Sequence, residues 1–165
     1  MDASELILAA LVLLVGGVLA WRSGPLARVV LFLSAVVTSA MLFLPGSQLT
    51  AIIGKDAVRT LNRMVADTPW TLSDWLHFAI FVWLGLMLWL GRADLRGWKA
   101  WALVVVLAVA AEVAQGLTPE RSPRVDDVLL NLAGGMAGLL MGIACVAMAH
   151  GGREVGSPVQ RPGKR

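Results

Sequence analysis

The arrangement of apolar residues into five near-continuous blocks constrains this chain more than any other feature. A helix needs about 20 apolar residues to cross a bilayer, with roughly 17 to 25 tolerated. The blocks therefore predict an all-α integral membrane bundle of about five transmembrane helices, the first three of which must recruit flanking residues. The short stretches between blocks carry almost every charge, and the blocks are Leu6–Trp21, Val29–Leu44, Trp75–Leu90, Ala100–Leu117 and Val128–Ala149.

Composition excludes a water-soluble domain, because 58% of the residues are hydrophobic and only 15% are charged. The first block follows Asp2 and Glu5 rather than the positive segment of a signal peptide, so we expect a retained helix.

The basic residues are scattered over the loops between the apolar blocks. Membrane topology explains this distribution better than a nucleic-acid partner does, so no nucleic-acid partner is expected. With the lone cysteine Cys145 and no Walker, HExxH, GxSxG or CxxC motif, the sequence predicts no metal and no cofactor.

The distribution of positive charge predicts an orientation. Five spans place nine lysines and arginines on one side and five on the other, and the richer side is expected to be cytoplasmic. The N-terminus then faces out and the C-terminus in, as expected for a multi-pass protein of a bacterial cell membrane. The nine are Arg22, Arg28, Arg92, Arg96, Lys99, Arg153, Arg161, Lys164 and Arg165, and the five are Lys55, Arg59, Arg63, Arg121 and Arg124.

Four segments follow from this pattern. Residues 1–45 hold two transmembrane helices, and residues 74–149 hold a core of three. Residues 46–73 form an outer loop, in which Val58, Leu61 and Val65 recur at helical spacing between charges. Either an interfacial helix or a solvated loop explains that spacing. Residues 150–165 are rich in glycine, proline and basic residues and predict a disordered cytoplasmic tail.

Polar residues gather at one level of the predicted bundle, where the third, fourth and fifth blocks meet the outer face. Ionisable groups within spans are costly and indicate function. Within each helix the spacing of three or four residues places the polar pair on one helical face. The candidate ligand-binding residues are Asp74, His77, Glu112, Gln115, Arg121, Asp127 and Asn131.

Several of these residues also have purely structural interpretations. Asp74 and Asp127 begin helices and could serve as caps, while His77 could be a packing histidine and Asn131 a helix-to-helix hydrogen-bonding residue. Glu112 resists such an interpretation, because it lies near the negative end of a helix dipole and needs a partner. Arg121 and His77 are the rival partners.

Gly134, Gly138 and Gly142 recur every four residues in the fifth block and predict a smooth strip for close helix packing. The strip favours contact with the third or fourth helix inside the bundle. A homodimer through the same strip is the alternative.

The polar residues carry a family resemblance. The pattern Asp74-x-x-His77-Phe78, Glu112-x-x-Gln115, Arg121, Asp127, Asn131 and Gly134 resembles that of the VanZ-like membrane proteins, across about residues 73–142. Two positions depart from it: Trp75 stands where relatives often have lysine, and Arg124 stands where an acidic residue is frequent. The resemblance implies a small bacterial membrane protein of a family first associated with tolerance of the lipoglycopeptide teicoplanin, and it implies no defined reaction.

Three functions remain open at this stage. The polar residues could bind or modulate an outer-leaflet amphiphile, such as a lipid, a cell-wall precursor or a lipoglycopeptide, with arginine suited to anionic headgroups. They could instead form an enzyme site for a lipid-linked substrate, with Glu112 and Asp127 or His77 as acid and base. In the third hypothesis the polar network only ties helices together.

Overall fold

The computed structural model describes residues 3–43, 46–116 and 124–155. Within these ranges the chain is helical and has no strand, which confirms the predicted all-α class. A 3-10 turn at Ala93–Leu95 separates α5 from α6. The helices are α1 (Ala3–Trp21), α2 (Pro25–Phe43), α3 (Gly46–Ile53), α4 (Lys55–Val65), α5 (Leu72–Gly91), α6 (Trp98–Gly116) and α7 (Val125–Val155).

Three of these helices are long and apolar enough to cross a membrane. Their candidate spans are Leu72–Gly91, Trp98–Gly116 and Val125–His150, which coincide with the third, fourth and fifth predicted blocks. Shorter apolar stretches, Ala9–Trp21 and Pro25–Ala40, lie in α1 and α2. The count of five spans and the orientation stay predictions.

Local chemistry sets several helix boundaries. Pro25 is the first residue of α2, where its missing N–H costs nothing and its fixed φ suits a helix. Gly54, with φ of 94°, separates α3 from α4 inside the predicted outer loop. Helix α7 continues to Val155, into the segment predicted as a tail, and residues 156–165 lie outside the described part of the chain.

The glycine strip on α7 packs against α5, and these two helices form the most extensive pair. A Cβ on Gly134 would meet the carbonyl of Phe78, and one on Gly138 would meet the carbonyl of Val82. Because these contacts advance in the same direction along both helices, α5 and α7 run parallel. The strip is therefore occupied by α5 of the same chain.

The remaining helices are arranged around this pair. Helix α6 packs against α7 and α5, α2 packs against α5, and α1 packs against α2. Leu88, Val104 and Leu139 form the centre of the apolar core. Helices α5 and α7 begin, and α6 ends, at one end of the bundle, here named the polar end; the other is the opposite end.

Candidate functional site

Asp74 at the polar end is part of a helix cap. Its Oδ2 accepts a hydrogen bond from the Thr71 backbone N–H at 2.7 Å, while Thr71 Oγ1 accepts one from the Asp74 N–H at 3.3 Å. This reciprocal pair is a capping box at the start of α5. The geometry gives Asp74 the structural role that was one of its two interpretations.

His77 and Asn131 meet across the α5–α7 contact. His77 Nδ1 lies 3.2 Å from Asn131 Oδ1, and the Asn131 side chain is fully buried. His77 is therefore paired with Asn131.

Glu112 is bound to the start of α7. Its Oε1 accepts a short hydrogen bond from the backbone N–H of Arg124, the residue just before α7 begins. The glutamate is 4% exposed, so it is held inside the bundle at the positive end of the α7 dipole. Among the described residues, the partner of Glu112 is a backbone amide, whereas both rival partners considered from the sequence were side chains.

Two buried polar atoms at this end have no hydrogen-bond partner within the described ranges. They are Glu112 Oε2 and Asn131 Nδ2. A carboxylate oxygen and an amide N–H left unpaired in an apolar surrounding each cost about 1–3 kcal/mol, and more for a charged group. The site therefore offers one acceptor and one donor to a bound group.

The other candidate residues lie around these two contacts. Gln115 is buried at 3% exposed, one turn from Glu112 on α6. Asp127 is half-buried in the first turn of α7, where its charge complements the helix dipole. Arg121, together with the predicted Glu112–Arg121 ion pair, lies outside the described residues. Arg124 pairs with Asp126 at 3.6 Å on the exposed surface.

Aromatic side chains cover the beginning of α5. The rings of Trp70 and Trp75 lie 4.9 Å apart, and that of Phe78 is 5.9 Å from Trp70. Trp75 Nε1 also donates to Thr68 Oγ1 at 3.1 Å. Trp75, the residue that departs from the resembled pattern, thus fixes the segment leading into α5 rather than supplying a cation.

The opposite end holds a polar group that the sequence analysis treated only as a loop charge. Arg92 is 5% exposed and donates to both carboxylate oxygens of Asp94, at 2.8 and 2.7 Å, and to the Leu19 carbonyl at 2.6 Å. The hydrogen bonds from Arg92 lower the pKa of Asp94 to about 2, and Asp94 in turn raises the pKa of Arg92. The signal available in sequence was an arginine and an aspartate two residues apart directly after a span.

The polar side chains at the polar end can recognise a ligand by hydrogen bonding. No group of three or more metal-ligating side chains occurs among residues 3–43, 46–116 and 124–155. Glu112 Oε2 and Asn131 Nδ2, which have no partner within the described part of the chain, provide an acceptor and a donor. Hydroxyl, amide or amine groups of a ligand would satisfy them.

Comparison with known proteins identifies one relationship. A family model described as VanZ/LLP1 matches residues 7–146, which includes every helix from α2 to α6 and most of α1 and α7. No curated protein and no solved structure gives a significant match to the chain.

Proposed function

The chain belongs to the VanZ/LLP1 family, and from that premise we propose that its polar end binds the headgroup of an envelope amphiphile. The amphiphile is a membrane lipid, a cell-wall precursor or a lipoglycopeptide. Tolerance of teicoplanin would follow where the bound or modulated molecule is that drug or its target. The protein acts from a bacterial cell membrane with the polar end facing out.

The observation that carries the proposal is the pair of unpartnered buried atoms, Glu112 Oε2 and Asn131 Nδ2. A network selected only to tie helices together gains stability from each satisfied group and loses it from each orphan. Here two buried side chains, those of Glu112 and Asn131, keep one unpartnered atom each among the described residues. A ligand that supplies a donor to Glu112 and an acceptor to Asn131 removes both penalties.

The depth of these atoms fits an amphiphile headgroup at the membrane boundary. Glu112 contacts the residue that precedes α7, and Asn131 lies seven residues further, about 10 Å along the helix axis. That interval covers the headgroup region and the upper part of the hydrocarbon. A ligand held there has its polar part at the end of the bundle and its apolar part among the helices.

The proposed orientation has a direct test. In a Cys145→Ser background, single cysteines replace Asn62 on α4 and Lys99 at the start of α6, both of which are exposed. A membrane-impermeant maleimide applied to intact cells should label the cysteine at 62 and reach the one at 99 only after permeabilisation. The reverse labelling pattern would place the polar end in the cytoplasm and would contradict the binding of an outer-leaflet ligand.

Binding is tested with a matched pair of carboxylate-to-amide variants. Glu112→Gln changes the buried acid, and Asp126→Asn changes an exposed acid of the same end. Each is expressed in a heterologous bacterial host at equal membrane levels of folded protein. Teicoplanin susceptibility is measured in the cells, and copurifying lipids are identified by mass spectrometry.

We expect the native chain and Asp126→Asn to retain the same lipids and to raise tolerance, and Glu112→Gln to lose both. Equal behaviour of all three proteins in both assays would refute the binding function. A lipid difference without any change in tolerance would keep the amphiphile site and remove its connection with the drug.

A further inference from the structure

Helix α4 has two chemically different sides. On a helical surface the nearest neighbours of a residue lie three and four positions away. All four such neighbours of Leu61 are apolar, and all four such neighbours of Arg59 are polar or charged. The apolar face of α4, so defined, consists of Ala57, Val58, Leu61, Met64 and Val65, and the charged face consists of Lys55, Asp56, Arg59, Asn62 and Arg63.

The apolar face of α4 is largely uncovered. No residue of α4 is buried, although α4 packs against α3 and α5. Val58 and Val65 are half-buried, whereas Ala57, Leu61 and Met64 are exposed, Met64 at 72%. An apolar strip about two helical turns long therefore lies open to the surroundings.

Hydrogen bonds fix the height of α4 relative to the candidate spans. Thr68 donates to the Val65 carbonyl through its N–H at 2.9 Å and through Oγ1 at 2.7 Å. The same Oγ1 accepts from Trp75 Nε1 at 3.1 Å, and Trp75 lies in the first turn of the candidate span Leu72–Gly91. The C-terminal end of α4 is thereby held where α5 begins. Where α5 crosses a bilayer, that level is the membrane–water interface, which tryptophan side chains favour.

The size of the uncovered surface argues against a protein partner. A stable protein interface uses about 20–30 residues on each side. The uncovered apolar surface here comprises three side chains of α4, together with Ile52 and Ile53 at the end of α3. A lipid surface needs no such area, because an amphipathic helix is held in the interface by partial immersion of its apolar side.

The charged face favours the same occupant. It carries three cations, Lys55, Arg59 and Arg63, against the single acid Asp56. Asp56 pairs with Arg59 at 3.4 Å, but the two side chains are 97% and 66% exposed, so water weakens their attraction. A row of cations spaced four residues apart is complementary to the phosphates of lipid headgroups.

We propose that α4 lies along the membrane surface at the polar end, with Leu61 and Met64 immersed below the headgroups and with its cations among the phospholipid phosphates. In this position α4 sets the depth at which α5 enters the bilayer. The inference goes beyond the proposed function, because it concerns the phospholipid layer around α4 and not a molecule held at Glu112. It applies to either orientation of the protein, since both leaflets present phosphates.

The depth of α4 is measured by electron paramagnetic resonance on the full chain in nanodiscs of phosphatidylethanolamine and phosphatidylglycerol. In a Cys145→Ser background, single spin-labelled cysteines replace Met64 on the apolar face and Asn62 on the charged face. A third replaces Val106 on the exposed side of α6 as a hydrocarbon reference. The accessibility of each label to oxygen, which concentrates in hydrocarbon, is compared with its accessibility to a water-soluble nickel chelate.

We expect the label at 64 to be several-fold less accessible to nickel than the label at 62, and more accessible to oxygen, as the label at 106 is. Equal nickel accessibility at 64 and 62 would overturn the inference, because it would place the whole of α4 in water. Spectral broadening between two labels at 64 would also overturn it, because a second copy of the chain would then cover the apolar face.

Matched glutamate substitutions separate immersion from helix formation. Leu61→Glu places a charge at the centre of the apolar face, and Asn62→Glu places the same charge on the charged face. With the spin label at 57, Leu61→Glu should raise nickel accessibility several-fold, and Asn62→Glu should leave it unchanged at equal folded yield. Met64→Glu repeats the test at a position more exposed than Leu61, where the fold is less affected. Unchanged accessibility at 57 in both apolar-face variants would contradict the immersion.

A further variant distinguishes this inference from the proposed function. Glu112→Gln should leave the accessibility at 64 and 62 unchanged, because Glu112 is bound to the start of α7. A water-exposed label at 64, together with loss of copurifying lipids in Glu112→Gln, would remove the surface helix and keep the binding site. An immersed label at 64, with copurifying lipids and tolerance unaffected by Glu112→Gln, would keep the surface helix and remove the binding site.

Discussion

The two ends of the bundle differ in how completely the buried side chains of Arg92 and Glu112 are hydrogen-bonded. At the opposite end, Arg92 makes three hydrogen bonds, to both oxygens of Asp94 and to the Leu19 carbonyl. At the polar end, Glu112 and Asn131 are at least as deeply buried, yet each keeps one atom without a partner among the described residues. Trp89 Nε1, at the opposite end, is also buried without a partner among the described residues, so an unpaired atom by itself does not identify a binding group. What distinguishes the polar end is that two such side chains, on α6 and α7, lie at the same end of the bundle.

The energetic roles of the two ends should therefore differ. A buried charge whose hydrogen bonds are all made stabilises the fold. Removing that charge leaves its former partners without a hydrogen bond. A group kept partly unsatisfied contributes less to folding and more to a ligand. Four changes test this difference, from the largest expected effect to the smallest.

Gly138→Val should have the largest effect, because it separates the helices that build the polar end. Its Cβ would meet the backbone carbonyl of Val82, which cannot move without shifting α5. We expect a loss of about 3 kcal/mol or more in the free energy of unfolding. Gly17→Val is the control, since nothing lies within 4 Å of a Cβ there. Equal stability of the two variants, measured by denaturant titration in micelles, would contradict the close α5–α7 packing.

Arg92→Leu should destabilise the protein by about 2 kcal/mol through the loss of charge-assisted hydrogen bonds. Arg22→Leu removes an exposed arginine from the same end and should change the free energy of unfolding very little. The expected loss concerns stability alone, so variants matched for folded level should bind lipid normally. A selective defect in lipid binding by Arg92→Leu would reverse the comparison between the ends.

Glu112→Gln should change the free energy of unfolding by less than about 1 kcal/mol, because the amide oxygen can still accept from Arg124 N–H. The expected phenotype is loss of the ligand at nearly unchanged stability. A large loss of stability without a separate binding defect would instead support the hypothesis that the network only joins helices.

Acidification should have the smallest effect and act at the opposite end. The pKa of Asp94 is lowered to about 2, so its pair with Arg92 contributes stability above the ordinary aspartate pKa. That contribution is lost as the pH falls from about 4 towards about 2. The difference in unfolding midpoint between the native chain and Asp94→Asn should shrink over this interval. A difference that stays constant would show that the carboxylate charge is not what Arg92 recognises.

The sequence located most of the polar candidates but not how they are joined. His77 and Asn131 lie 54 positions apart, and their contact depends on the close approach of α5 and α7. Helical spacing shows which residues share a face of one helix, but it does not give the register between two helices. For the same reason Asp74 could be either a cap or a ligand until its bond with Thr71 was seen.

The amino-acid sequence by itself determined the helical class, three of the five predicted apolar helices as ones of membrane-spanning length, the level of the polar residues and the family. These properties follow from the length of the apolar blocks and from the spacing of residues within them, both of which are given directly by the order of the amino acids. Only the tertiary structure decided that Glu112 binds the start of α7, that Arg92 is a buried structural group, and that an apolar groove lies between α1 and α6. Each of these depends on which helices become neighbours, a property of three-dimensional packing that no local pattern encodes.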